Sequence, residues 1–509
     1  MKTLKIVGYI FAGVQLFASI AALYIAMSTT LVPTKYAIIG GVALLVVLAF
    51  VVMMATIKKK GTKIASIIIS LMMIGLLLVG CYFISIANKA MDDVTGVTVE
   101  VDEVNVYVSK DDVINSINEA VANEYVFGTV ATDDLTHVNE TISKINSDLG
   151  TTITTKEYPT IFELIEDFEA GNVKSLISSS GTILVLDSTE DYLDYSTKLK
   201  TIMETTYKEE IATEEEAAID LDHFCVYFSG IDTFGSVTVR SRSDVNIIGV
   251  VNNSTKTILL LSTPRDYYVP ISVANGRKDK LTHTGIYGID CSTDTLENFY
   301  DTDIPYYVRV NFSGFQSIID KLGGIDVYSE MAFTSETAEG TYSYTEGINH
   351  LNGEEALGFA RARYAFIDGD RQRGRNQMAV IKATIEKLES SDMLKNYGSI
   401  MDDMDGSFQT DMQKDDIGYL VQSTLDGGNW QVLTCSVSGT DSTQVCYSLG
   451  QEAYVMEPYQ EDVLYATNLI DKVLAGEAVT QDDINAYLAS RTIDETSEGI
   501  SEEDLESGE

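Results

Sequence analysis

Arginine is confined to one part of this chain. Of its 11 arginines, ten lie between Arg240 and Arg375 and one is Arg491, whereas the lysines are spread from end to end. The chain as a whole is strongly acidic, with a formal net charge of −41. A guanidinium group binds two oxygens of a carboxylate or phosphate at once, which an ammonium group cannot do. The confinement therefore indicates a bound anion in the middle of the chain, and we interpret it as a phosphate.

Polar chemistry concentrates in four segments of this region. Two of them follow or precede apolar runs that are typical of strands, and ligands usually bind at the carboxyl ends of strands in α/β sheets. The segments are Ser241 to Asp244, with Asp232 at the end of the preceding strand; Pro264 to Asp266, which includes Arg265; Arg277 to His283, which includes Lys280; and Ala360 to Gln377.

The fourth segment carries five arginines. Arg361 and Arg363 alternate, so an extended backbone would direct both to one side. Arg373 and Arg375 alternate as well, directly before a helix that we expect to begin near Asn376. A phosphate at that point would contact both guanidinium groups and the helix amino terminus. The alternative is a solvated basic loop whose arginines pair with the many carboxylates of the chain.

Two aspartates could hold a cation beside such an anion. A pyrophosphate is often shared with a hard cation such as Mg²⁺ or Mn²⁺, which prefers carboxylate ligands. Asp232 and Asp244 lie at neighbouring strand ends and would supply them, although salt bridges to nearby arginines explain the two residues equally well. His283 is either a general base or a structural hydrogen-bonding group, and single histidines are more often the second.

Three uncharged apolar runs open the chain: Ile6 to Met27, Tyr36 to Ile57 and Ile64 to Ile86. Each is long enough to cross a hydrocarbon layer of about 30 Å as a helix. The loop from Lys58 to Lys63 is basic, so we expect it and the amino terminus to be cytoplasmic and the large remainder to be extracellular. This placement predicts a multi-pass membrane protein with its membrane domain at residues 1–88.

Alternating strand and helix patterns after the membrane helices predict an α/β fold in two units. An accessory unit spans residues 95–212. It begins with a strand of alternating valines that slips near Asp102 and Glu103, which suggests a bulge. Three further assignments in this unit are a helix over Asp111 to Val121, a buried strand over Thr182 to Asp187, and a helix over Asp191 to Lys208.

A second unit spans residues 218–478 and contains all four polar segments. Its clearest element is a hairpin with one arm over Asp244 to Val251 and the other over Lys256 to Ser262. Cys435 and Cys446 would lie outside the cell, where they either form a disulfide or remain free thiols. The tail at residues 491–509 is acidic and is expected to be disordered. The acidic exterior excludes nucleic acid as a partner.

In this order, these segments resemble the LytR-CpsA-Psr (LCP) family of Gram-positive cell-wall enzymes. The resemblance covers about Ile219 to Leu388 and is carried by the blocks SDVNIIGVV, ILLLSTPRDYYVPI, DKLTHTGIYG, IPYYVRVNFSGFQSIIDKLGGIDV, INHLNGEEALGFARARY and DGDRQRGRNQ. The layout of three membrane helices, an accessory unit and a catalytic unit is similar to the capsule-associated CpsA branch. The family fold implies a central mixed sheet with a long apolar pocket for a prenyl chain.

The resemblance implies a phosphotransferase that moves a glycan from a polyprenyl-pyrophosphate carrier to peptidoglycan, joined by a phosphodiester. Its partners would be that lipid-linked glycan, the peptidoglycan acceptor, the membrane and, further, other capsule-assembly proteins. Mg²⁺ or Mn²⁺ would be the cofactor, held by Asp232 and Asp244. The other residues that the resemblance assigns to the pyrophosphate site are Arg265, Arg361, Arg363, Arg373, Arg375, Gln377, Lys280 and Asp370, the last orienting the arginines.

The chain departs from the family pattern in the loop from Thr233 to Arg242, which is longer than the short turn expected there, and in Arg371, which is extra. Two other functions stay open from the sequence. One is a hydrolase that splits polyprenyl pyrophosphates with the same arginines. The other is a surface regulator or scaffold without catalysis. The sequence does not identify the glycopolymer, the role of the accessory unit or the general base.

Overall fold

The computed structural model describes residues 2–28, 34–94, 99–187, 189–210, 219–231, 233, 236–337, 340–363, 365–366, 369–388, 408–425 and 430–491. Asp232 and the acidic tail from residue 492 onward lie outside this described part, so the expectations for them stay predictions. The division into units at residues 88, 95, 212, 218 and 478 also stays a prediction.

Three long apolar helices form the membrane anchor. They are α1 (Lys2–Met27), α2 (Thr34–Thr56) and α3 (Lys60–Val94). Each has a stretch of 21 to 26 residues that is long and apolar enough to cross a membrane. Buried polar groups in such helices need partners inside the protein. Here Ser70 donates a hydrogen bond to Gln15 Oε1 at 2.9 Å, which joins α3 to α1. The three predicted membrane helices are thus confirmed.

The first α/β unit is built on a five-stranded sheet of order β3-β2-β4-β1-β5. Strand β1 runs antiparallel to β4 and β5, and β2 runs parallel to β3 and β4. The elements are β1 (Val99–Ser109), α4 (Ile117–Ala122), β2 (Val126–Val130), α5 (Leu135–Leu149), β3 (Thr154–Tyr158), α6 (Ile161–Glu169), β4 (Ser175–Ser179), α7 (Ser180–Asp187) and β5 (Leu199–Glu210).

Two of the predicted elements in this unit are wrong. The apolar run from Thr182 to Asp187 is helical, because it belongs to α7 and β4 precedes it directly. Short apolar runs without a period do not distinguish a buried strand from a buried helix. The predicted helix over Asp191 to Lys208 is two short 3₁₀ turns followed by β5. Strand β5 pairs with β1 along its whole length, and this tertiary pairing overrides the local helical pattern.

Two finer predictions also need correction. The register shift between β1 and β5 lies at Val106 and Tyr107, where β5 carries the extra residue Ile202, and not at Asp102. Asp102 is buried on the same face of β1 as Val104. A polar residue on this buried face interrupts the alternation of valines, and in the sequence the interruption looks like a bulge. The predicted helix over Asp111 to Val121 forms only at Ile117–Ala122, where the Ser116 side chain accepts a hydrogen bond from the Glu119 N–H and fixes the start.

The second unit has a six-stranded mixed sheet of order β16-β11-β6-β7-β8-β17. Strands β7 and β8 form the predicted hairpin, and β6 pairs antiparallel with β7. Strands β11 and β17 run parallel to β6 and β8, respectively. The central mixed sheet and the α/β class are therefore confirmed. The strands are β6 (His223–Ile231), β7 (Ser243–Asn252), β8 (Thr257–Ser262), β11 (Tyr306–Val310), β16 (Phe408–Thr410) and β17 (Gln431–Ser436).

Helices cover both faces of this sheet, and short strand pairs close its ends. The short strands are β9 (Tyr268–Pro270), β10 (Lys278–Lys280), β12 (Ile325–Ser329), β13 (Phe333–Glu336), β14 (Thr341–Tyr344), β15 (Gly347–Leu351), β18 (Gly439–Val445) and β19 (Glu452–Pro458). The helices are α8 (Ile289–Tyr300), α9 (Phe312–Lys321), α10 (Gly353–Arg361), α11 (Asp370–Leu388), α12 (Lys414–Leu425), α13 (Gln460–Leu474) and α14 (Gln481–Ser490).

Alternate residues of β7 supply the two sides of the core. Ile248 and Val250 pack in one cluster with residues of α8 and α13, and α14 adds Ile484 to the same cluster. Ile247, from the opposite face, packs with Met378 of α11. Both faces of β7 are buried because helices cover the sheet on each side, as in other α/β folds. The sheet thereby holds the loops at its edge in fixed positions.

A buried carboxylate joins the two α/β units. Glu100 of β1 is 3% exposed and accepts hydrogen bonds from Arg309 at 2.6 Å, Arg240 at 3.1 Å and the Ile289 N–H at 3.0 Å. Residues after β18, including Cys446 and Leu449, also pack into a core cluster of the first unit. The accessory unit is therefore fastened to the second unit by both charge and apolar packing.

We predict that Glu100→Gln destabilises the protein by about 3–5 kcal/mol, since it removes the carboxylate that pairs with the buried Arg309 and one of the several carboxylates around Arg240. Chemical unfolding of the detergent-solubilised chain measures the difference. Glu103→Gln on the same strand is the matched control. Burial and the neighbouring Glu204 already raise the pKa of Glu103, so neutralising it is expected to cost far less. Equal losses from the two variants would contradict the role of Glu100.

Candidate active site

The centre of the site is a charge pair at the edge of the mixed sheet. Asp244 is the second residue of β7, and Arg265 follows the carboxyl end of β8, the antiparallel neighbour of β7. Arg265 NH1 donates to Asp244 Oδ2 at 2.8 Å, and Thr282 Oγ1 donates to Asp244 Oδ1 at 3.0 Å. Burial acts to raise the pKa of Asp244, but Arg265, then Arg242 and Arg373, hold it well below its ordinary value. Asp244 is therefore a carboxylate at neutral pH.

A second carboxylate lies on the other side of Arg265. Asp266 is buried and accepts from Lys280 Nζ at 3.1 Å, with Arg265 Nε at 3.6 Å. Burial opposes its ionisation, yet Lys280 and Arg265 lower the pKa of Asp266 below its ordinary value. Arg265 thus donates a hydrogen bond to one ionised carboxylate, Asp244, and lies in a longer ion pair with a second, Asp266. Predicted site residues from three separate segments meet here.

Helix α11 brings the arginines of the fourth segment to this centre. It begins at Asp370 and not near Asn376, so Arg373 and Arg375 lie in its first two turns and not in front of it. The helix passes close to the end of β8, where a Cβ on Gly374 would lie 3.1 Å from Ser262 Oγ. Arg373 is buried, and Arg375 is oriented by Glu330 at 3.2 Å and by Gln372.

Two cavities adjoin Arg265. The smaller has a volume of about 70 Å³ and is lined by Asp244, Arg265, Arg371, Arg373, Arg375, Gln377 and Arg491, among others. The larger has a volume of about 400 Å³ and includes Arg265, Asp266, Lys280, His283 and Arg363 in its wall. Arginine geometry suits phosphate oxygens, and seven cationic side chains converge on these two spaces. The arrangement can bind a multiply charged anion such as a diphosphate.

Known proteins of one family are similar to this chain. The family model described as the LytR_cpsA_psr family matches residues 192–463. A teichoic acid transferase of Enterococcus faecalis, named polyisoprenyl-teichoic acid–peptidoglycan teichoic acid transferase TagU, is 33% identical over 220 residues, which cover 42% of this chain and 71% of that protein. Its namesake in Bacillus cereus is 32% identical over 242 residues, which cover 46% and 77%.

The match covers more than half of the chain. The chain belongs to the LytR_cpsA_psr family. Among solved structures, B. subtilis TagV is 26% identical and covers 51% of this chain and 100% of its own, with a TM-score of 0.44. A structure of TagT bound to LIIa-WTA is 28% identical over 51% of this chain and 94% of its own, with a TM-score of 0.41. As a member of this family, the chain is an enzyme of the transferase class.

The structure places other predicted family residues less centrally. Arg361 is the last residue of α10 and not part of an extended segment; it is exposed, with its guanidinium 4.3 Å from the centre of the Phe312 ring, and it lines neither cavity. Arg363 lines the larger cavity. Asp370 begins α11, but its side chain and all of Asp232 lie outside the described residues. The roles of these four residues stay predictions.

Three residues at the site, Arg371, Arg491 and Thr282, are not among the predicted site residues. Arg371 donates to Ser438 Oγ at 3.0 Å and to the Gly439 carbonyl at 2.8 Å, so the arginine that is extra for the family fastens α11 to β18 beside the smaller cavity. Arg491, far from the other arginines in sequence, lines that cavity while paired with Asp462. Thr282 donates a hydrogen bond to Asp244. The only sequence signal for it is its position next to His283, in the third polar segment.

Part of the arginine cluster has a different purpose. Arg240 and Arg309 bind Glu100 and join the two units, and Arg277 stacks on Tyr447 at 4.1 Å. Asp102, Asp134 and His137 form a compact group with donors suited to a metal ion. Arg240 already lies 3.2 Å from Asp134 and 4.0 Å from Asp102, so its guanidinium supplies the positive charge there. Arginine enrichment therefore reports both an interface and an anion site.

Cys435 and Cys446 do not form a disulfide. All five cysteines are free thiols, and Cys435 and Cys446 lie in different core clusters. Burial raises the pKa of Cys435 to about 12, so the thiol is neutral and unreactive at ordinary pH. The open choice between a disulfide and buried thiols is settled in favour of the thiols.

We predict a pH-dependent cost for Asp266→Asn. Because the folded-state pKa of Asp266 is depressed, its ion pairs stabilise the protein above the unfolded-state pKa of about 4 and are lost as the pH falls towards the folded-state value. The variant should lose on the order of 2 kcal/mol at pH 7, and the deficit should shrink below about pH 4. Urea unfolding at both pH values measures it. Asp326→Asn, in an exposed pair with His350, should show almost no deficit at either pH.

Proposed function

We propose that the protein is a cell-wall glycopolymer ligase that moves a glycan from a polyprenyl-pyrophosphate carrier to peptidoglycan and leaves a phosphodiester. The observation that supports this most directly is the convergence of Arg265, Arg363, Arg373 and Arg375 on two adjoining cavities beside Asp244. Relatives named as teichoic acid transferases share this part of the chain. The donor's diphosphate would lie across Arg265, which borders both spaces.

The physical chemistry of phosphoryl transfer fits these residues. In such reactions the protein mainly positions the reacting groups and neutralises charge on the phosphoryl oxygens. Guanidinium groups held by Asp244, Asp266 and Glu330 are fixed before the substrate binds, so little reorganisation is needed during the reaction. A leaving polyprenyl phosphate gains charge as the bridging bond breaks, and the arginines that line the smaller cavity would stabilise it.

We infer further that Mg²⁺ or Mn²⁺ is the cofactor, bound through Asp244 and Asp232. Each oxygen of Asp244 makes one described hydrogen bond and retains a lone pair, so its donor chemistry fits a hard cation. Mg²⁺ is usually bound by one or two carboxylates together with substrate phosphates and water. The cation would neutralise part of the diphosphate charge. Loss of glycan transfer in EDTA and recovery with Mg²⁺, but not Ca²⁺, would support this assignment.

The capsule-associated role is also a proposal. Its support is the layout of three membrane helices and an accessory α/β unit joined to the catalytic unit. Capsule-assembly proteins would then be its neighbours at the membrane. A membrane anchor raises the encounter rate with a lipid-linked donor, because both are confined to the same surface. Comparison of purified teichoic acid and capsule precursors as donors identifies the polymer.

Acceptor dependence separates the ligase from a hydrolase. The full-length chain in detergent receives a polyprenyl-diphosphate-linked glycan, with and without peptidoglycan fragments. A ligase releases polyprenyl phosphate at a rate that rises with acceptor and yields a glycan–peptidoglycan phosphodiester, detected by mass spectrometry. Release that ignores the acceptor and yields free glycan phosphate would show a hydrolase. A chain that binds the donor but releases nothing under either condition would be a non-catalytic scaffold.

We predict that Arg363→Lys lowers transfer about 10- to 100-fold although the charge is kept. A charge-assisted hydrogen bond contributes roughly 1.5–3 kcal/mol, and 1.4 kcal/mol is a factor of ten in rate. Initial rates with saturating acceptor measure the effect. Arg277→Lys is the control, because Arg277 stacks on Tyr447 and lines neither cavity. Full activity of the Arg363 variant would argue against recognition by a guanidinium fork.

We predict the membrane orientation from the lysines at positions 58, 59, 60 and 63, which should hold the second loop in the cytoplasm. A phosphatase and fluorescent-protein reporter pair fused after Lys60 should report the cytoplasm. The same pair fused after Leu221 should report the outside. Replacing the four lysines with glutamine should weaken this preference, and the reverse pattern in the native chain would place the catalytic unit on the wrong side for peptidoglycan.

A further inference from the structure

The larger cavity has walls from both α/β units. One side consists of Arg265, Lys280 and His283 of the second unit, and another is contributed by Asp191 and Tyr192, from the 3₁₀ turn before β5 of the first unit. Its volume of about 400 Å³ falls in the range of small-molecule pockets, roughly 300–1,000 Å³. The accessory unit therefore contributes directly to a space beside the proposed diphosphate site.

The chemistry of this wall suits a carbohydrate and not a prenyl chain. Six of its 13 lining residues are charged, and burying an apolar tail against them would be unfavourable. Two tyrosines add ring faces with polar edges, the combination that packs against sugar rings. Tyr192 is held by the rings of Phe162 and Tyr195, and Tyr454 donates to Asp441 at 3.0 Å. Both rings are thus oriented without a ligand.

A buried pair of one histidine and one aspartate, His283 and Asp279, supplies a proton acceptor at the same wall. His283 Nδ1 lies 2.7 Å from Asp279 Oδ1 and 2.9 Å from Ser448 Oγ, and the Ser448 N–H donates to Asp279 Oδ2 at 2.6 Å. Although burial opposes ionisation, His283 and the Ser448 hydrogen bonds keep the pKa of Asp279 below its ordinary value. An ionised Asp279 fixes the proton on Nδ1, so that Nε2 carries the lone pair.

The His283 side chain is only 2% exposed, and the larger cavity is the described space that it borders. Nε2 of His283 has no hydrogen-bond partner among the described residues, and His283 lines the cavity. A carboxylate–histidine pair beside a hydroxyl is the usual arrangement for general-base activation of that hydroxyl. In the proposed reaction the acceptor, and not the donor, loses a hydroxyl proton. This asymmetry favours the acceptor as the occupant of the cavity.

We propose that this cavity binds the acceptor sugar of peptidoglycan between Tyr192 and Tyr454 and that His283 Nε2 takes the proton of its attacking hydroxyl. The inference rests on the proposed ligase function. The acceptor oxygen forms a bond to the phosphorus that carries the glycan, and the bond from that phosphorus to the bridging oxygen breaks. Polyprenyl phosphate leaves with the electron pair. The hydroxyl proton moves to Nε2, and Asp279 stabilises the resulting imidazolium.

The acceptor pocket is tested with the full-length chain in detergent, lipid-linked glycan donor and purified peptidoglycan fragments. Tyr192→Ala should raise the acceptor KM about 5- to 10-fold and leave the donor Kd unchanged. Leu193→Ala, in the same turn but exposed and outside the cavity wall, should match the native chain. Tyr454→Ala, at the other tyrosine that lines the cavity, provides an independent variant if Tyr192→Ala has a lowered Tm. An altered donor Kd with native acceptor KM would assign the cavity to the donor glycan and overturn the proposal.

The base is tested by chemical rescue. His283→Ala should lower kcat by about 10²- to 10⁴-fold with little change in acceptor KM, and added imidazole should restore part of it. His283→Gln, which can still donate to Asp279, should fold normally, stay slow and resist rescue. A slow His283→Ala variant that imidazole does not restore would reduce His283 to a structural role. If the native chain itself ignores the acceptor, the ligase function fails; if it transfers glycan but these variants match it, only this inference fails.

Discussion

The structure of the site depends on the ion pair between Asp244 and Arg265. Several guanidinium groups in a partly buried space repel one another, and that repulsion is stronger than in water because the local dielectric constant is lower. Asp244 and Asp266 flank Arg265, and Glu330 holds Arg375, so the cations are neutralised in part before any substrate arrives. The carboxylates thereby make a preformed anion site compatible with a folded protein, while enough positive charge remains for a diphosphate.

Arginine also determines how the two α/β units fit together. Arg240 and Arg309 meet around Glu100 in a buried contact, which tolerates little relative movement because separating the units would expose or strand three charges. The 3₁₀ turn that carries Tyr192 is thereby held against the larger cavity. The arginines that look like one functional cluster in the sequence therefore serve two purposes, an anion site and an interface between the units. The larger cavity needs this interface, because its walls come from both units.

The parts of the fold that sequence reasoning found are those with long, uniform signals. Three apolar runs predicted the membrane helices, and the paired Val, Ile and Leu runs predicted β7 and β8. It failed where tertiary pairing decided the outcome, as in β5, and where a buried Asp102 interrupted the apolar alternation of β1. Within the site, contiguous motifs led to Arg265, Lys280 and α11, but Arg491 reaches the smaller cavity only through the packing of the carboxyl-terminal helices, which no local pattern encodes.

The net negative charge of the chain contrasts with the positive charge around these cavities. With a net charge of −41, most of the surface repels an anionic polymer, whereas the cavities around Arg265 present positive charge in a confined space. Charged clefts concentrate field lines, but at physiological ionic strength this attraction fades within roughly 8 Å. In the proposed function, the donor diphosphate would therefore be attracted only after the membrane anchor has brought the two together. Tethering and short-range recognition by arginine would then act one after the other, because the electrostatic attraction alone does not extend far enough.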